Sequence, residues 1–220
     1  MTGLPRLDAV VFDMDGLLLD TERLQQRAYE RACARMALVA DPHLFMALVG
    51  LNERMSEAVL DKALPRDLDV ARFKSLWAAE FTASVTDHVP LKPGVIHLLD
   101  ALRVRGLPMA VATSTKRFKA VALLQRAGIL DRFALLVCGD EVARGKPAPD
   151  VYLAAVGGLG HQPGACVAFE DSSNGVRAAV SAGLVTVQVP DLIPPPAEIV
   201  ALGHVIAPDL LTGAQRVGCL

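Results

Sequence analysis

The sequence has no concentrated block of basic residues and no long apolar segment. Its 22 lysines and arginines are spread over 220 residues, and the formal net charge is -2. Basic patches with interleaved aromatics, typical of nucleic-acid-binding surfaces, are missing. No apolar run approaches the roughly 20 residues that a membrane-spanning helix requires, and residues 1–15 lack the pattern of a secretory leader. We therefore expect a cytoplasmic protein, favoured to be a monomer, that binds neither a nucleic-acid polymer nor a membrane.

Motifs that bind zinc or carry thiol redox chemistry are also missing. The four cysteines lie far apart without a C-x-x-C pair, and the five histidines show no metal-ligand spacing. We interpret the cysteines as small buried side chains and the histidines as structural or exposed. Any catalytic chemistry must therefore come from other residue types.

Short apolar runs rich in β-branched residues alternate with segments of helical periodicity. With 52% hydrophobic and 21% charged residues, the chain can form one continuous core or a core with a small accessory domain. The apolar runs predict buried parallel strands at residues 9–12, 108–113, 135–138, 166–169 and 185–189. The helical segments are 95–105, 118–127, 150–156 and 175–182. This alternation predicts an α/β fold with a doubly wound parallel sheet.

One long segment breaks the alternation, because residues 21–88 show helical periodicity and no convincing strand. The chain returns to the sheet through the turn-forming residues 90–94. We predict a core formed by residues 1–19 and 91–220, with residues 20–90 inserted as a helical cap over the strand ends. Phe73, Trp77 and Phe81, at helical spacing, are expected to form the cap's own core.

Polar side chains follow the predicted strands at the points where the strands end. They are Asp13 and Asp15-Gly16 after the first strand, Thr113 and Ser114 after the second, Lys146 in the loop after the third, and Glu170 and Asp171 after the fourth. Because the carboxyl ends of parallel strands share one edge, four carboxylates should meet there and repel one another. A hard divalent cation with oxygen ligands would hold them together, which predicts Mg²⁺ as the cofactor.

Two aspartates separated by one residue suit a division of labour in phosphoryl transfer. Asp13 can attack phosphorus as a nucleophile, and Asp15 can serve as general acid and then general base. Thr113, the amide of Ser114 and Lys146 can bind the phosphoryl oxygens. The polar residues at any one strand end, taken alone, are compatible with a turn or a helix cap. All of them together, in this order along the chain, indicate a phosphatase.

The same residues resemble the four motifs of the haloacid dehalogenase superfamily of phosphohydrolases. The matching stretches are residues 13–22, 111–114, 145–150 and 169–176. The resemblance implies a Rossmann-like core with a helical C1-type cap, as in the β-phosphoglucomutase-like and phosphatase subgroup. It implies an aspartyl-phosphate on Asp13 with Asp15 as acid and base, and catalytic roles for Thr113 and Lys146. It also implies that Asp13, the Asp15 backbone carbonyl, Glu170 and Asp171 hold Mg²⁺.

Cap residues decide between hydrolysis and the mutase alternative within this subgroup. Mutases have a histidine where this chain has Gln25, and an arginine where it has Glu53, with Arg54 displaced by one. A carboxylate at Glu53 would repel the second phosphate of a bisphosphate intermediate. We therefore predict hydrolysis of a small sugar phosphate or a nucleotide-like monophosphate; residues 12–24 with 189–191 resemble pseudouridine-5'-monophosphatases. The predicted substrate-binding residues are Gly16, Gln25, Asn52, Arg54, Ser114 and Asn174, with Lys116 as a further candidate.

Two other classes share parts of this pattern. Receiver domains of signalling proteins combine clustered aspartates, a Thr or Ser and a Lys without turnover, but they are far shorter than this chain. Dehalogenases of the superfamily lack the second aspartate of the pair, which is present here as Asp15. Both are therefore less favoured than a phosphatase.

Overall fold

The computed structural model describes residues 7–51 and 53–220, except for the side chains of residues 53 and 54. Its centre is a sheet whose paired strands all run parallel. The strands are β1 (Ala9–Phe12), β2 (Met109–Ala112), β3 (Leu135–Val137), β4 (Cys166–Glu170), β5 (Val185–Gln188) and β6 (Val205–Ile206). Their spatial order is β3-β2-β1-β4-β5-β6. The direction in which successive strands are added reverses between β1 and β4, and parallel sheets of this kind bind ligands at such a switch point. The predicted doubly wound sheet is confirmed.

Helices occupy most of the remaining described chain. They are α1 (Thr21–Arg35), α2 (Pro42–Leu48), α3 (Glu53–Ala63), α4 (Val70–Ser84), α5 (Val95–Val104), α6 (Arg117–Arg126), α7 (Asp150–Leu159), α8 (Ser173–Ser181), α9 (Ala197–Val200) and α10 (Leu210–Arg216). The predicted core helices are confirmed as α5 to α8. Across residues 7–51 and 53–220, every helix falls short of the length and apolarity that a bilayer span needs.

The two faces of the sheet carry different side chains because consecutive strand residues point in opposite directions. One face presents large residues such as Phe12 and Phe169, whose rings stack with centroids 5.3 Å apart, to α5, α6 and α10. The other face presents small residues such as Ala9 and Ala168 to α7 and α8. Small side chains allow α7 and α8 to approach the sheet closely, and every residue of β1, β2 and β4 is buried.

Helices α1 to α4 lie in the chain between β1 and α5 and bury a hydrophobic cluster of their own. Tyr29 is its centre, with the rings of Phe45, Phe73 and Trp77 at centroid distances of 5.7, 6.0 and 5.4 Å. Phe81 does not join this cluster; it packs against the core of the sheet, so that part of the prediction is wrong. The reason is its position near the end of α4, where the chain returns to the sheet.

Short elements at the carboxyl end escape the sequence pattern. Strand β6 has only two residues, too few for an alternation to be visible. Helices α9 and α10 follow the proline-rich residues 190–196, and α9 spans a single turn. The helix ends marked by glycine are as predicted, since Gly106, Gly128 and Gly183 have φ of 70°, 71° and 83°.

Candidate active site

Asp13 follows β1 directly and lies at the switch point of the sheet. Its backbone amide donates to the Phe169 carbonyl of the neighbouring strand at 2.9 Å, which extends the β1–β4 ladder by one residue. The residue is 7% exposed. The ladder therefore fixes the aspartate backbone, while the side chain projects into a largely dry environment.

Lys146 is the positive centre of the site. Its ammonium group donates to Asp13 Oδ1, to Glu170 Oε1 at 2.6 Å and to the Ala112 carbonyl at 2.9 Å. It lies 5.0 Å from the centroid of the Tyr152 ring, a cation–π geometry. All three ammonium protons are thus engaged, and the charge is held in one place.

Glu170 is fully buried and has its hydrogen-bonding capacity filled. Oε1 accepts from Lys146 and from the Tyr152 hydroxyl at 2.7 Å. Oε2 accepts from the amides of Asp171 and Ser172 and from the Ser172 hydroxyl, at 3.1 to 3.2 Å. A carboxylate offers about four lone-pair directions, so Glu170 serves to hold Lys146 and the following turn.

Asp15 is held by two hydroxyl groups from different parts of the chain. Thr21, the first residue of α1, donates to Oδ1 at 2.8 Å. Thr115, just beyond β2, donates to Oδ2 at 2.7 Å. Because hydroxyls can donate or accept, the same two partners can hold either protonation state of this carboxyl group.

Thr113 and Ser114 lie at the carboxyl end of β2. The Thr113 amide donates to Val137 at 3.0 Å, and its hydroxyl accepts from the Thr115 amide at 3.0 Å. Thr113 is 1% exposed, whereas Ser114 is exposed at the cavity surface. This turn therefore places polar groups beside Asp13 and Asp15.

Asp171 completes an acidic group that could hold a metal ion. Three carboxylate oxygens, one each from Asp13, Glu170 and Asp171, lie within 4.8 Å of one another. Gly16, with φ of 81°, approaches Asp171 so closely that a Cβ there would lie 2.4 Å from Oδ2. The loop after β1 thus needs glycine at this position both for its conformation and for space.

The electrostatics of this group call for more positive charge than the protein supplies. Burial raises the pKa of Asp13 to about 8, with Glu170 and Asp15 acting in the same direction and Lys146 opposing them. Burial also raises the pKa of Asp171 well above its usual range, and that of Asp15. Loss of hydration lowers the pKa of Lys146, but Asp13 and Glu170 outweigh it and raise that pKa overall. Three carboxylates facing one ammonium group make a hard-oxygen site that suits a divalent cation.

A cavity of about 670 Å³ opens over these groups. The chain segment that carries α1 to α4 forms one wall, and the ends of β2 and β4 with α6 form the other. Among the predicted substrate-binding residues, Gln25, Ser114 and Asn174 line the cavity, as does Lys116. Gly16 lies beneath, against Asp171. The Asn174 side chain donates to the Gly50 carbonyl at 3.1 Å, across the two walls. Asn52 lies outside the described residues, as do the side chains of Glu53 and Arg54.

Four residues of the site are missing from the sequence-based prediction. Thr21 and Thr115 bond to Asp15, Tyr152 bonds to Glu170, and Glu22 lines the cavity with a pKa that burial, then Asp15 and Asp191, raise to about 7. All four stand inside or within two residues of a recognised motif. A polar side chain beside apolar neighbours could have marked these residues as candidates. Their hydrogen-bond partners could not be identified, because most of them lie far away in the sequence.

Comparisons with known proteins agree with this geometry. A family model described as haloacid dehalogenase-like hydrolase matches residues 7–183. The protein CbbY of Rhodobacter capsulatus is 37% identical over 196 residues, covering 84% of this chain and 86% of that protein. A phosphorylated carbohydrates phosphatase of Thermotoga maritima is 35% identical over 178 residues, covering 81% and 82%.

The fold comparison points the same way. The crystal structure of CbbY from Rhodobacter sphaeroides in complex with phosphate superposes with a TM-score of 0.76 and 28% identity, covering 92% of this chain and 94% of that one. The motif resemblance, the family match and the sheet topology converge on one assignment. The chain belongs to the haloacid dehalogenase-like hydrolase family.

Proposed function

We propose that the protein is a magnesium-dependent phosphomonoester hydrolase that acts on a small phosphorylated sugar or a similar monophosphate. The observation that carries the proposal is the buried carboxylate of Asp13, in contact with Lys146 and beside Asp171 at the sheet's switch point. The relative named for phosphorylated carbohydrates and the phosphate complex of CbbY support this reaction class.

Asp13 performs the first half of the reaction. Lys146 holds Oδ1 of this carboxylate, and the carboxylate attacks phosphorus while the bond from phosphorus to the leaving oxygen breaks. Asp15 gives its proton to that oxygen, so the leaving group departs as a neutral alcohol. The raised pKa of Asp15, caused mainly by burial, favours the protonated form that this step needs.

Asp15 also performs the second half. As a carboxylate it takes a proton from a water molecule, whose oxygen attacks phosphorus and breaks the bond to Asp13. Inorganic phosphate leaves, and Asp13 returns as a free carboxylate. Thr21 and Thr115 keep the Asp15 carboxyl group in place through both halves. Thr113 and the Ser114 amide offer hydrogen bonds to the phosphoryl oxygens.

The donor set fits Mg²⁺, with Asp13, Asp171 and the Asp15 backbone carbonyl as the residues that would hold it. Glu170 is the weaker candidate for a direct ligand because both its oxygens already accept hydrogen bonds. When bound, the ion offsets the repulsion between the carboxylates and the phosphate.

Substrate choice belongs, in this proposal, to the wall formed by residues 20–90, in which Gln25, Asn52 and Arg54 would contact the leaving group. Asn174 of α8 would contact it from the core. The core would comprise residues 1–19 and 91–220. A monomeric protein that works in the cytoplasm remains the expectation from sequence.

Phosphate release over many turnovers tests the proposal. The protein should hydrolyse members of a panel of sugar phosphates and nucleotides, lose activity in EDTA, and recover it when Mg²⁺ is added. Isomerisation of glucose-1-phosphate, run in parallel, tests the mutase alternative. A single stoichiometric labelling without turnover, or hydrolysis that persists in EDTA, would contradict the proposal.

A further inference from the structure

The chain passes between the sheet and helices α1 to α4 twice, and the two passages run side by side. Residues 18–20 lead into α1, and residues 90–92 lead back to α5. The backbone amides of Lys92 and Asp20 join them, each donating to a carbonyl of the other passage, at 2.9 and 2.8 Å. An antiparallel bridge lies between these two bonds. The two passages therefore form one short ladder, which we call the connecting ladder.

Asp191, in the loop after β5, binds both the connecting ladder and the start of α1. Its side chain is 3% exposed. Oδ1 accepts from Lys92 Nζ at 2.5 Å and from Arg23 Nη1 at 3.0 Å. Lys92 belongs to the ladder, and Arg23 is the third residue of α1. One buried oxygen on the sheet side thus holds the return passage and the first turn of α1 together.

Further contacts support this arrangement. Arg23 also donates to Asp20 Oδ1 at 2.6 Å, and Lys92 Nζ lies 3.9 Å from the same oxygen. The residue after Asp191, Leu192, packs against the hydrophobic cluster of α1 to α4. The loop after β5 therefore contacts these helices through both charged and apolar side chains.

The ion pairs of Asp191 are poorly suited to stabilise the fold. Both hydrogen bonds end on Oδ1, whereas Oδ2 is buried and has no partner among the described residues. Removing a carboxylate from water with one oxygen unbonded costs free energy, and buried ion pairs add little net stability because both charges lose hydration. A role in fixing the position of α1 explains this residue better.

The position of α1 matters because its first residue reaches the catalytic centre. Thr21 is 1% exposed, and its hydroxyl donates to Asp15 Oδ1 at 2.8 Å. Thr21 and Arg23 belong to one helical turn, so a bond that fixes Arg23 also limits the movement of the Thr21 hydroxyl. Asp191 and Asp15 thus hold the same turn from two sides.

We infer that Asp191 is a positioning residue for the general acid. Through its ion pairs it holds the first turn of α1, which keeps Thr21 bonded to Asp15 and the carboxyl group aimed at the leaving oxygen. This inference rests on the proposed function, in which Asp15 protonates that oxygen. Asp191, Arg23 and Lys92 do not line the cavity, so their effect on the reaction is indirect. The expected sign of it is a loss of rate that depends on how much protonation the leaving group needs.

Two substrates with different leaving groups test the inference. One is the sugar phosphate of the panel that the wild type hydrolyses fastest, and the other is p-nitrophenyl phosphate, whose leaving group needs little protonation. The rate is compared as kcat/KM, which covers the steps up to release of the leaving group and not hydrolysis of the phosphoenzyme. Asp191→Ala should lower kcat/KM about tenfold for the sugar phosphate, a part of the about 10²- to 10⁴-fold that a general acid contributes, and less than about twofold for p-nitrophenyl phosphate.

Milder variants keep the test decisive should Asp191→Ala fail to fold. Arg23→Gln removes an ion pair at a side chain that is 45% exposed, and it should show the same dependence on leaving group with a loss of about threefold. Arg23 uses a single nitrogen for both carboxylates, so Arg23→Lys should retain most of the wild-type rate. The control is Asp100→Asn, which breaks an ion pair with Arg132 outside the cavity and should change neither rate.

A double-mutant cycle with Thr21→Val tests the route of the effect. Valine keeps the shape of the buried threonine but lacks the hydroxyl that bonds to Asp15. If Asp191 acts through that hydroxyl, Asp191→Ala in the Thr21→Val background should cost less than about twofold in kcat/KM for the sugar phosphate, because the bond that it protects is already gone.

The outcomes separate this inference from the proposed function. Equal losses for the two substrates in folded variants, losses that multiply in the cycle, or wild-type rates in both Asp191→Ala and Arg23→Gln would each overturn the positioning role and leave the phosphatase intact. Wild-type protein that releases phosphate from neither p-nitrophenyl phosphate nor any member of the panel would overturn the proposed function itself.

Discussion

The carboxyl edge of the sheet and helices α1 to α4 line the same cavity but contribute different chemistry. At the sheet edge, buried polar groups hold one another: Lys146 bonds to Asp13 and Glu170, and Tyr152 bonds to Glu170. On the helical side, the wall consists largely of apolar residues such as Leu48, Trp77 and Phe81.

The two regions also have hydrophobic cores of their own, although Phe81 of α4 packs against the core of the sheet. The cluster around Tyr29 and Phe73 belongs to α1 to α4, whereas the sheet is packed on both faces by its own helices. A substitution in one core therefore need not disturb the other. Under the proposed function, this difference means that the reaction and the choice of leaving group would be built from parts that can vary independently, and mutations can test the separation.

The largest effect is expected from Asp13→Asn. The amide keeps the size of the side chain but cannot act as a nucleophile, so kcat should fall by at least about 10³-fold. The thermal unfolding midpoint should change little, because Lys146 keeps Glu170 as its partner. The measurements are phosphate release and circular dichroism melting. Asp131→Asn, an exposed aspartate away from the cavity, is the control, and residual activity of a few per cent would contradict covalent catalysis by Asp13.

Asp15→Asn should reduce kcat by about 10² to 10⁴-fold, the usual contribution of a general acid and base. The choice of leaving group sharpens the test. With p-nitrophenyl phosphate, whose leaving group needs little protonation, the first step should recover while hydrolysis of the phosphoenzyme stays slow. Rapid-quench measurements should then show a burst followed by slow turnover. Equal losses for good and poor leaving groups, with no burst, would argue against the assigned role.

The sequence predicts the sheet edge well because each reactive residue follows a recognisable apolar strand. The strand gives the residue its place, and the parallel arrangement brings the strand ends together. The sequence does not predict the hydrogen bonds that hold those residues in place. The hydroxyl of Thr115, for example, donates to Asp15, a hundred positions away in the chain. The sequence also does not predict that Phe81 packs against the core of the sheet. Helical spacing shows which residues share a face of a helix, but not what that face contacts.

Tyr152→Phe tests whether the hydroxyl that supports Glu170 matters for the reaction. Removing it leaves Glu170 Oε1 with Lys146 alone, which should cost about 1 kcal/mol in stability and reduce kcat by up to about tenfold. KM should change less, because the hydroxyl lies beneath the site and does not line the cavity.

Tyr29→Phe is the matched control for this change in the helical region. Its hydroxyl donates to the Asp41 carbonyl at 3.3 Å, and its ring is equally buried. It should reduce stability without lowering kcat. If both variants reduced kcat to the same extent, the effect of Tyr152 would be a general loss of rigidity, and the separation of the two regions would fail.

The smallest effect is expected from Glu80→Gln, which breaks a contact internal to the helical region. The carboxylate of Glu80 on α4 accepts from Arg31 and Arg35 on α1, at 2.8 and 2.9 Å. Hydrogen bonds from Arg35 and then Arg31 lower the pKa of Glu80. A lowered folded-state pKa means that the stabilisation is present above the ordinary glutamate pKa and is lost as the pH falls through the folded-state value.

The variant should therefore melt at a slightly lower temperature than the wild type at pH 7, and the difference should vanish in strong acid and shrink in high salt. Melting curves at two pH values and two salt concentrations measure this difference. The control is Glu30→Gln on α1, whose carboxylate accepts from the neutral side chain of Gln26. The kcat of Glu80→Gln should equal that of the wild type, because Glu80 contacts neither the cavity nor the sheet edge. A lower kcat would mean that the packing of α1 against α4 affects Asp15 through Thr21. Among the described residues, the hydrogen bond from Thr21 is the one that joins α1 directly to the proposed catalytic carboxylates.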